Sequence, residues 1–548
     1  MKELSRKPLV VVLPLLFASS LVQAQLLEEV IVTAQKREQN AQDLAMSVSA
    51  FSGDAVQKLG IDNSEELVAH TVNFNVTSSV GEGSRPAYFM RGVGLNDFNT
   101  NNVGPVGVYL DEVYLSSIAS QMVPLFDVGR VEILRGPQGT LFGRNTSAGA
   151  VSFYSAEPTE EFEGYVNAGV GNFGARKLEG AVGGAISDSA RVRLSAVKVD
   201  SDGYIDNEAG PGQEGARDIL AWRGQLTWDA SENFDMLLNI HGGSDQSEAS
   251  GYQHLGTLDP VTFGPCSPRQ IAGNGCVDAV GYRDTTNDFY KGEYDFDRDT
   301  DSDTLGGLIK LNWVLGDITL TSITGYDEID QIYFEDADAG PVSMAHVTYG
   351  VEAETVSQEL RAVGSTDKVH WILGAYYMSQ DLKQNQSADL LRVLRPDFGF
   401  DPDNFVFFSR HKTDQETESY ALFGQVEYQL TERLTGTAGL RWTTDKGDFG
   451  YNMALEEPDF TIPVFEQSAD LDDEDLSWRF AIDYQINDEV RTYASVTKGY
   501  KSGGFNGGFL FEPTPIIDYD PETLISYEVG LKGDYFDNTV RLNLAAFY

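Results

Sequence analysis

Beyond residue 159 apolar and polar side chains alternate with a period of two. Leu434, Gly436, Ala438, Leu440 and Trp442 fall on one face of a predicted strand, with Thr435, Thr437, Arg441 and Thr443 opposite. Trp478, Phe480, Ile482, Tyr484 and Ile486 alternate against Arg479, Asp483 and Gln485. Val540, Leu542, Leu544, Ala546 and Tyr548 do so against Arg541 and Asn543. Such a pattern predicts a strand whose two faces meet different surroundings. These segments run about ten residues or more, the length a tilted membrane-crossing strand needs. Between residues 160 and 548 the pattern predicts about fifteen of them. Short turns such as 429–432 and 486–489 alternate with long acidic connections near 202–216, 247–298, 331–349, 385–412, 450–471 and 506–520. Short turns at one end and long loops at the other predict a membrane β-barrel, and one this wide encloses a lumen rather than a packed core.

Residues 44–158 read differently. Ala45 to Ala50 alternates as a strand; Ser52-Gly53-Asp54 then opens a short helix that Gly60 ends. Ser64 followed by Glu65 and Glu66 predicts a second helix start, with acids suited to the dipole. Strands are predicted at Tyr88–Arg91, Gly107–Val113 and Val131–Leu134, the last closed by Arg135-Gly136-Pro137-Gln138-Gly139. A further apolar run follows from Ala148 to Tyr154. Together these predict a small α+β domain.

The first 24 residues have the form of a signal peptide: Lys2, Arg6 and Lys7, an apolar run from Leu9 to Phe17, and Val22-Gln23-Ala24 as the cleavage site. No stretch reaches the roughly 18 apolar residues of a membrane helix. With 84 acidic and 39 basic residues the net charge is −45, which excludes nucleic acid as a partner. The mean hydropathy of −0.26 is too polar for a helical membrane protein and suits strands with one polar face. Cys266 and Cys276 are the only cysteines; in an exported chain they read as one loop disulfide, against the alternative of two free thiols.

Just past the predicted cut, Glu28-Glu29-Val30-Ile31-Val32-Thr33-Ala34 is built to be extended and able to add a strand to another protein's sheet edge. This segment, Tyr88-Phe89-Met90-Arg91-Gly92, Val106 to Asp111 and Arg130 to Val151, in that order, resemble the N-terminal part of TonB-dependent outer-membrane receptors. The resemblance covers essentially the whole chain. It implies a transmembrane antiparallel β-barrel with an N-terminal α+β plug, divided as box and linker 25–43, plug 44–158 and barrel 159–548. The family's barrels close at about twenty-two strands, so the resemblance implies a C-terminally truncated chain with about seven strands missing. It further implies active uptake of a scarce ligand across the bacterial outer membrane, most often a ferric siderophore, otherwise cobalamin, haem or an oligosaccharide. The implied partners are the TonB–ExbB–ExbD complex at residues 28–34, a metal chelate or other small ligand, and outer-membrane lipid. Neither a cofactor nor catalysis is expected. Arg91 and Arg135 resemble the plug half of a plug–barrel lock and Glu528 one barrel half. Asn96, Asp97, Phe98, Asn99, Asn101 and Asn102 are the candidate ligand-binding apex.

Three features weigh against other chemistries. Gly169-Val170-Gly171-Asn172-Phe173-Gly174 fits a dinucleotide fingerprint but lies between two strands, with no helix to receive phosphate. No HExxH, nucleophile elbow or P-loop occurs, and the six histidines lack metal-ligand spacing. Asp295, Asp297, Asp299, Asp301 and Asp303 alternate as an acidic ladder expected on one strand face. Calcium is one reading of it, but the spacing fails the EF-hand pattern, and a solvated ladder is the simpler account. A passive porin would lack the plug and box of residues 28–158.

Overall fold

A computed structural model describes residues 31–548 except 79–84, 211, 250, 287, 297–299, 400, 402–407 and 457–459. The signal-peptide residues, Glu28, Glu29 and Val30, and Asp297 and Asp299 of the acidic ladder lie outside the described residues.

The N-terminal domain is built on β1 (Val48–Ser52), β2 (Val106–Leu110), β3 (Val128–Arg135) and β4 (Gly149–Ser155), with α1 (Gly53–Leu59) following β1. The sheet order is β1-β3-β4-β2, extended by the edge pair Val113–Tyr114, and β2 runs parallel to β4. Both faces of β3 and β4 are covered, which is why Val131, Ile133, Val151 and Phe153 form a continuous apolar run in space. A second sheet joins Phe74–Ser78, Pro86–Met90 and Val93–Gly94. Ser52 accepts from the Ala55 amide and Gly60 takes a left-handed conformation, so α1 starts and stops at the expected residues. The second expected helix is a 3-10 turn, Glu65–His70, and its cap is not Ser64. Asn63 Oδ1 accepts from the Glu65 and Glu66 amides, while the buried Ser64 hydroxyl donates to the Gln121 carbonyl and accepts from Tyr88.

Fifteen antiparallel strands make the second part. They are β5 (Glu163–Val170), β6 (Arg176–Ser187), β7 (Ala190–Ser201), β8 (Arg217–Ser231), β9 (Phe234–Asp245), β10 (Asp301–Leu315), β11 (Ile318–Asp336) and β12 (Ala345–Ser365). There follow β13 (Val369–Leu390), β14 (Phe408–Thr431), β15 (Leu434–Glu456), β16 (Thr461–Gln485), β17 (Val490–Lys501), β18 (Glu522–Tyr535) and β19 (Val540–Phe547). Each pairs with its sequence neighbour, and β5 and β19 are the two edges of the sheet, not bonded to each other among the described residues.

The wall is inside out relative to a soluble protein. Leu422 and Leu440 are 60% and 53% exposed on its outer face, whereas Arg441 and Asp445 on the same strand are each 2% exposed on its inner face. Such a surface suits hydrocarbon outside and a polar lumen inside. No helix among the described residues is long and apolar enough to cross a membrane. The connections expected at 331–349 and 450–471 are in large part strand, and the one expected at 385–412 is strand at both ends, 385–390 and 408–412. β11 to β16 are 19 to 25 residues long. A membrane crossing takes about ten.

The N-terminal domain fills the concave side of this wall. Its turn after β3 lies against β15 to β17 at backbone distance. A side chain on Gly139 would meet the Gly499 Cα at 3.0 Å, and one on Gly499 would meet Pro137 and Ser147.

Candidate functional site

At the base of the plug, Ile31–Val32 pairs antiparallel with Gln39–Asn40 in a small hairpin. Val32 and Ala34 are buried against Leu44, Met46 and Leu134. Thr33 is held by one cluster: its amide donates to Glu132 Oε1 at 2.8 Å, and its hydroxyl meets Glu132, Arg130 and Tyr154. Burial pushes the Glu132 carboxyl above its ordinary range, opposed by bonds from Arg130 and Thr33. Residues 35–43, expected as a polar linker, are packed instead. Lys36 Nζ lies 3.4 Å from Glu359 of β12, Arg37 pairs with Glu427 of β14, and Asp43 with Arg491 of β17 at 3.0 Å. Three of the four charged residues that marked this stretch as solvated, Lys36, Arg37 and Asp43, have a partner on the barrel wall, while Glu38 is exposed.

The Lys36 pair belongs to a larger buried network. Glu112, in the turn after β2, accepts from Arg361 Nη1 at 2.5 Å and Lys310 Nζ at 2.6 Å, and Arg361 also reaches Glu359 at 2.9 Å. Although burial opposes its ionisation, Arg361 and Lys310 hold the Glu112 carboxyl well below the carboxylate range. The sequence reading missed this group. Its only sequence trace is the acidic pair Asp111-Glu112 in an otherwise apolar plug segment and two basic residues on lumen-facing strand positions.

The expected lock residues separate. Arg91 Nη2 lies 2.5 Å from Glu528 Oε2, which also accepts from Tyr493 at its other oxygen. Arg135 donates instead to the Val72 carbonyl and the Ser47 and Ser49 hydroxyls. Glu528 is on the lumen side, with Tyr527 and Val529 outward.

At the opposite end, the six apex candidates are not equally placed. Asn96 is exposed, Asp97 and Phe98 are half-buried, and Asn99, Asn101 and Asn102 are buried. Gln384 of β13 accepts from the Thr100 and Asn101 amides at 2.6 and 2.9 Å. Asn101 donates to the Phe505 carbonyl, and Tyr519 donates to Asn102. These amides tie the apex to the wall and to residues 504–519, which cross above it. Rings form an arch there. Phe98 packs on Tyr349 and Phe509, and Phe509 on His411 at 4.8 Å between centroids; His411 accompanies Tyr451. The sequence carried a sign of this arch in the doubled Gly-Gly-Phe of residues 503–509. Arg85 lies beneath, donating to the Phe98 carbonyl at 2.9 Å; burial lowers its pKa to about 10, so it remains a cation at neutral pH.

Cys266 and Cys276 are joined as a disulfide around the short helix Pro268–Ala272. The three described members of the acidic ladder do not share one strand face. β10 begins only at Asp301, and Asp301 and Asp303 are exposed on it. Asp295 lies before the strand and takes His346 Nε2 at 2.9 Å. Asp336 approaches this pair, its ligand atoms within 4.8 Å of theirs, and among the described residues this is the one such group. The His346–Asp295 ion pair accounts for the contact.

A wall with an apolar outside, a polar lumen and an α+β domain seated in that lumen define a plugged β-barrel of the kind found in bacterial outer membranes. The model of the TonB dependent receptor-like β-barrel matches residues 233–548, and that of the TonB-dependent receptor plug domain matches residues 40–150. The chain belongs to this family of receptors and transporters. It is 26% identical over 496 residues to the pesticin receptor of Yersinia pestis, covering 89% of this chain and 63% of that one. With the ferripyoverdine receptor of Pseudomonas aeruginosa identity is 22% over 540 residues, covering 94% and 60%. The chain thus spans less than two thirds of these relatives' length. Among solved structures, the ferric yersiniabactin uptake receptor of Yersinia pestis superposes with a TM-score of 0.76 at 20% identity, covering 92% of this chain and 72% of that one.

Proposed function

We propose that the protein takes up a ferric siderophore across the bacterial outer membrane, driven by TonB with ExbB and ExbD through residues 28–34. The observation that carries the reading is a plug that fills the lumen, with residues 31–34 at its base and an aromatic arch at its opposite end. A passive pore would gain nothing from such a plug. An enzyme would need a convergent nucleophile, base or metal, and neither the arch nor the base supplies that chemistry. The relatives named for ferric chelates, the ferripyoverdine and ferrioxamine B receptors, favour iron over cobalamin, haem or an oligosaccharide. Division of the chain into box and linker, plug and barrel follows the same reading, with Arg91–Glu528 joining the last two.

Proline at Val30 or Ile31 removes an amide donor that strand addition needs. Either variant of the full receptor is expected to bind ferric chelate normally and to lose energy-dependent uptake of the radiolabelled iron. Normal uptake by both variants would show that residues 28–34 are not the coupling segment.

A further inference from the structure

Ligand charge is written into the walls around the arch. On one side Glu335 accepts from the Tyr252 and Tyr349 hydroxyls at 2.8 and 2.9 Å. On the other, Asp445 and Asp473 face inward from β15 and β16; Asp445 accepts from the Tyr500 hydroxyl and lies 3.6 Å from Arg144, whereas Asp473 pairs with no lysine or arginine among the described residues. Inward cations are already engaged: Arg144 by Ser502 at 2.9 Å with Asp445 at 3.6 Å, and Lys501 by the Tyr519 ring at 4.6 Å. Arg85 keeps one Nη2 without an acceptor, a single donor that suits a carbonyl or hydroxyl oxygen. The sequence extends this field outward. Residues 331–349, 450–471 and 502–521 contain no lysine or arginine. Between these charges lie aromatic faces and side-chain amides: Phe98, Tyr349 and Phe509 with Gln384 and Gln386. Aromatic faces attract cations, and carboxylates in a partly dry recess repel anions by amounts that water would screen away.

We propose that the chelate this receptor takes carries no net negative charge, being neutral or bearing a cationic arm. The inference rests on the ferric-chelate reading above and deepens it. Size and ring contacts are met by many chelates. Charge separates them, because a polyanionic chelate would enter against Glu335 and Asp473, which pair with no lysine or arginine among the described residues; Arg144 and Lys501 are already engaged, and only Arg85, held beneath the arch by Gln331 and the Phe98 carbonyl, stands against them.

Binding is measured by quenching of intrinsic fluorescence in the full receptor in detergent. Three ferric chelates of similar size serve as probes: a linear trihydroxamate with an ammonium arm, a neutral cyclic trihydroxamate and a polyanionic tricatecholate. The cationic and neutral chelates are expected to bind at least about tenfold tighter than the polyanion. Added salt should weaken the cationic chelate and help the anionic one. Asp473→Asn, which keeps the shape of the side chain, is expected to narrow the gap. Equal binding of the three, or tightest binding of the polyanion, would overturn the inference and leave the uptake reading standing. Binding of none would sink the ferric-chelate reading, and this inference with it.

Discussion

At the scale of single residues, Glu112 is the most consequential side chain that the sequence did not announce. It is a plug carboxylate facing two basic residues of the wall, Arg361 and Lys310, at hydrogen-bond distance. Removing one member of a buried ion network leaves its partners charged and dry, which costs about 3–5 kcal/mol. Glu112→Gln is therefore expected to lower the denaturant concentration at which a fluorescently labelled plug leaves the wall at neutral pH. The pH dependence has a definite sign. A carboxyl held below its unfolded value contributes fully above that value, about 4.3, and its contribution disappears as pH falls through the lower folded one. Mild acid near pH 5 should leave the plug seated in the parent and give no rescue to the variant. An unchanged midpoint for Glu112→Gln would show that the network does not anchor the plug.

At the scale of elements, the segment 35–43 changes most between sequence and structure. Its composition is that of a solvated linker, yet Lys36 and Arg37 are pinned to β12 and β14. Lys36→Met with Arg37→Gln should raise hydrogen exchange at the Lys36 amide, which donates to the Thr33 carbonyl, by about tenfold or more. Exchange equal to that of the parent would mean that the hairpin holds itself without the wall. Strand existence was legible wherever lipid imposes alternation, as at 435–443 and 478–486. Strand length was not. Beyond the hydrocarbon, outward positions need no apolar side chain, so Asp472 and Glu474 stand on the exposed face of β16 and the alternation vanishes while the hydrogen bonding continues. The candidate site was readable only in part for a related reason. Arg91 and Glu528 sit in local motifs, whereas the arch joins residues 98, 349, 411 and 509, which only the fold brings together.

At the scale of the whole molecule, the inverted distribution of polarity sets what the wall tolerates. Leu440 faces outward, where a fluid solvent of chains adapts to any apolar shape. Leu440→Phe should therefore fold into lipid vesicles as well as the parent, while Leu440→Arg should cost about 2–4 kcal/mol near the midplane. Heat-modifiable mobility on gels after vesicle insertion reads both. Efficient insertion of the arginine variant would place β15 differently from the structure. Inside, the contrary rule holds where Gly139 and Gly499 bring plug and wall together, because there the space a side chain would need is already taken by Ser477 and the Gly499 backbone on one side and by Pro137 and the Ser147 backbone on the other. Interlocked side chains make a ratchet, each tooth having to lift before the next can pass. Two glycines faced only by the compact side chains of Ser477 and Pro137 make a bearing surface, so once the ion pairs around it have parted, the turn after β3 meets smooth resistance along β17 rather than a series of steps.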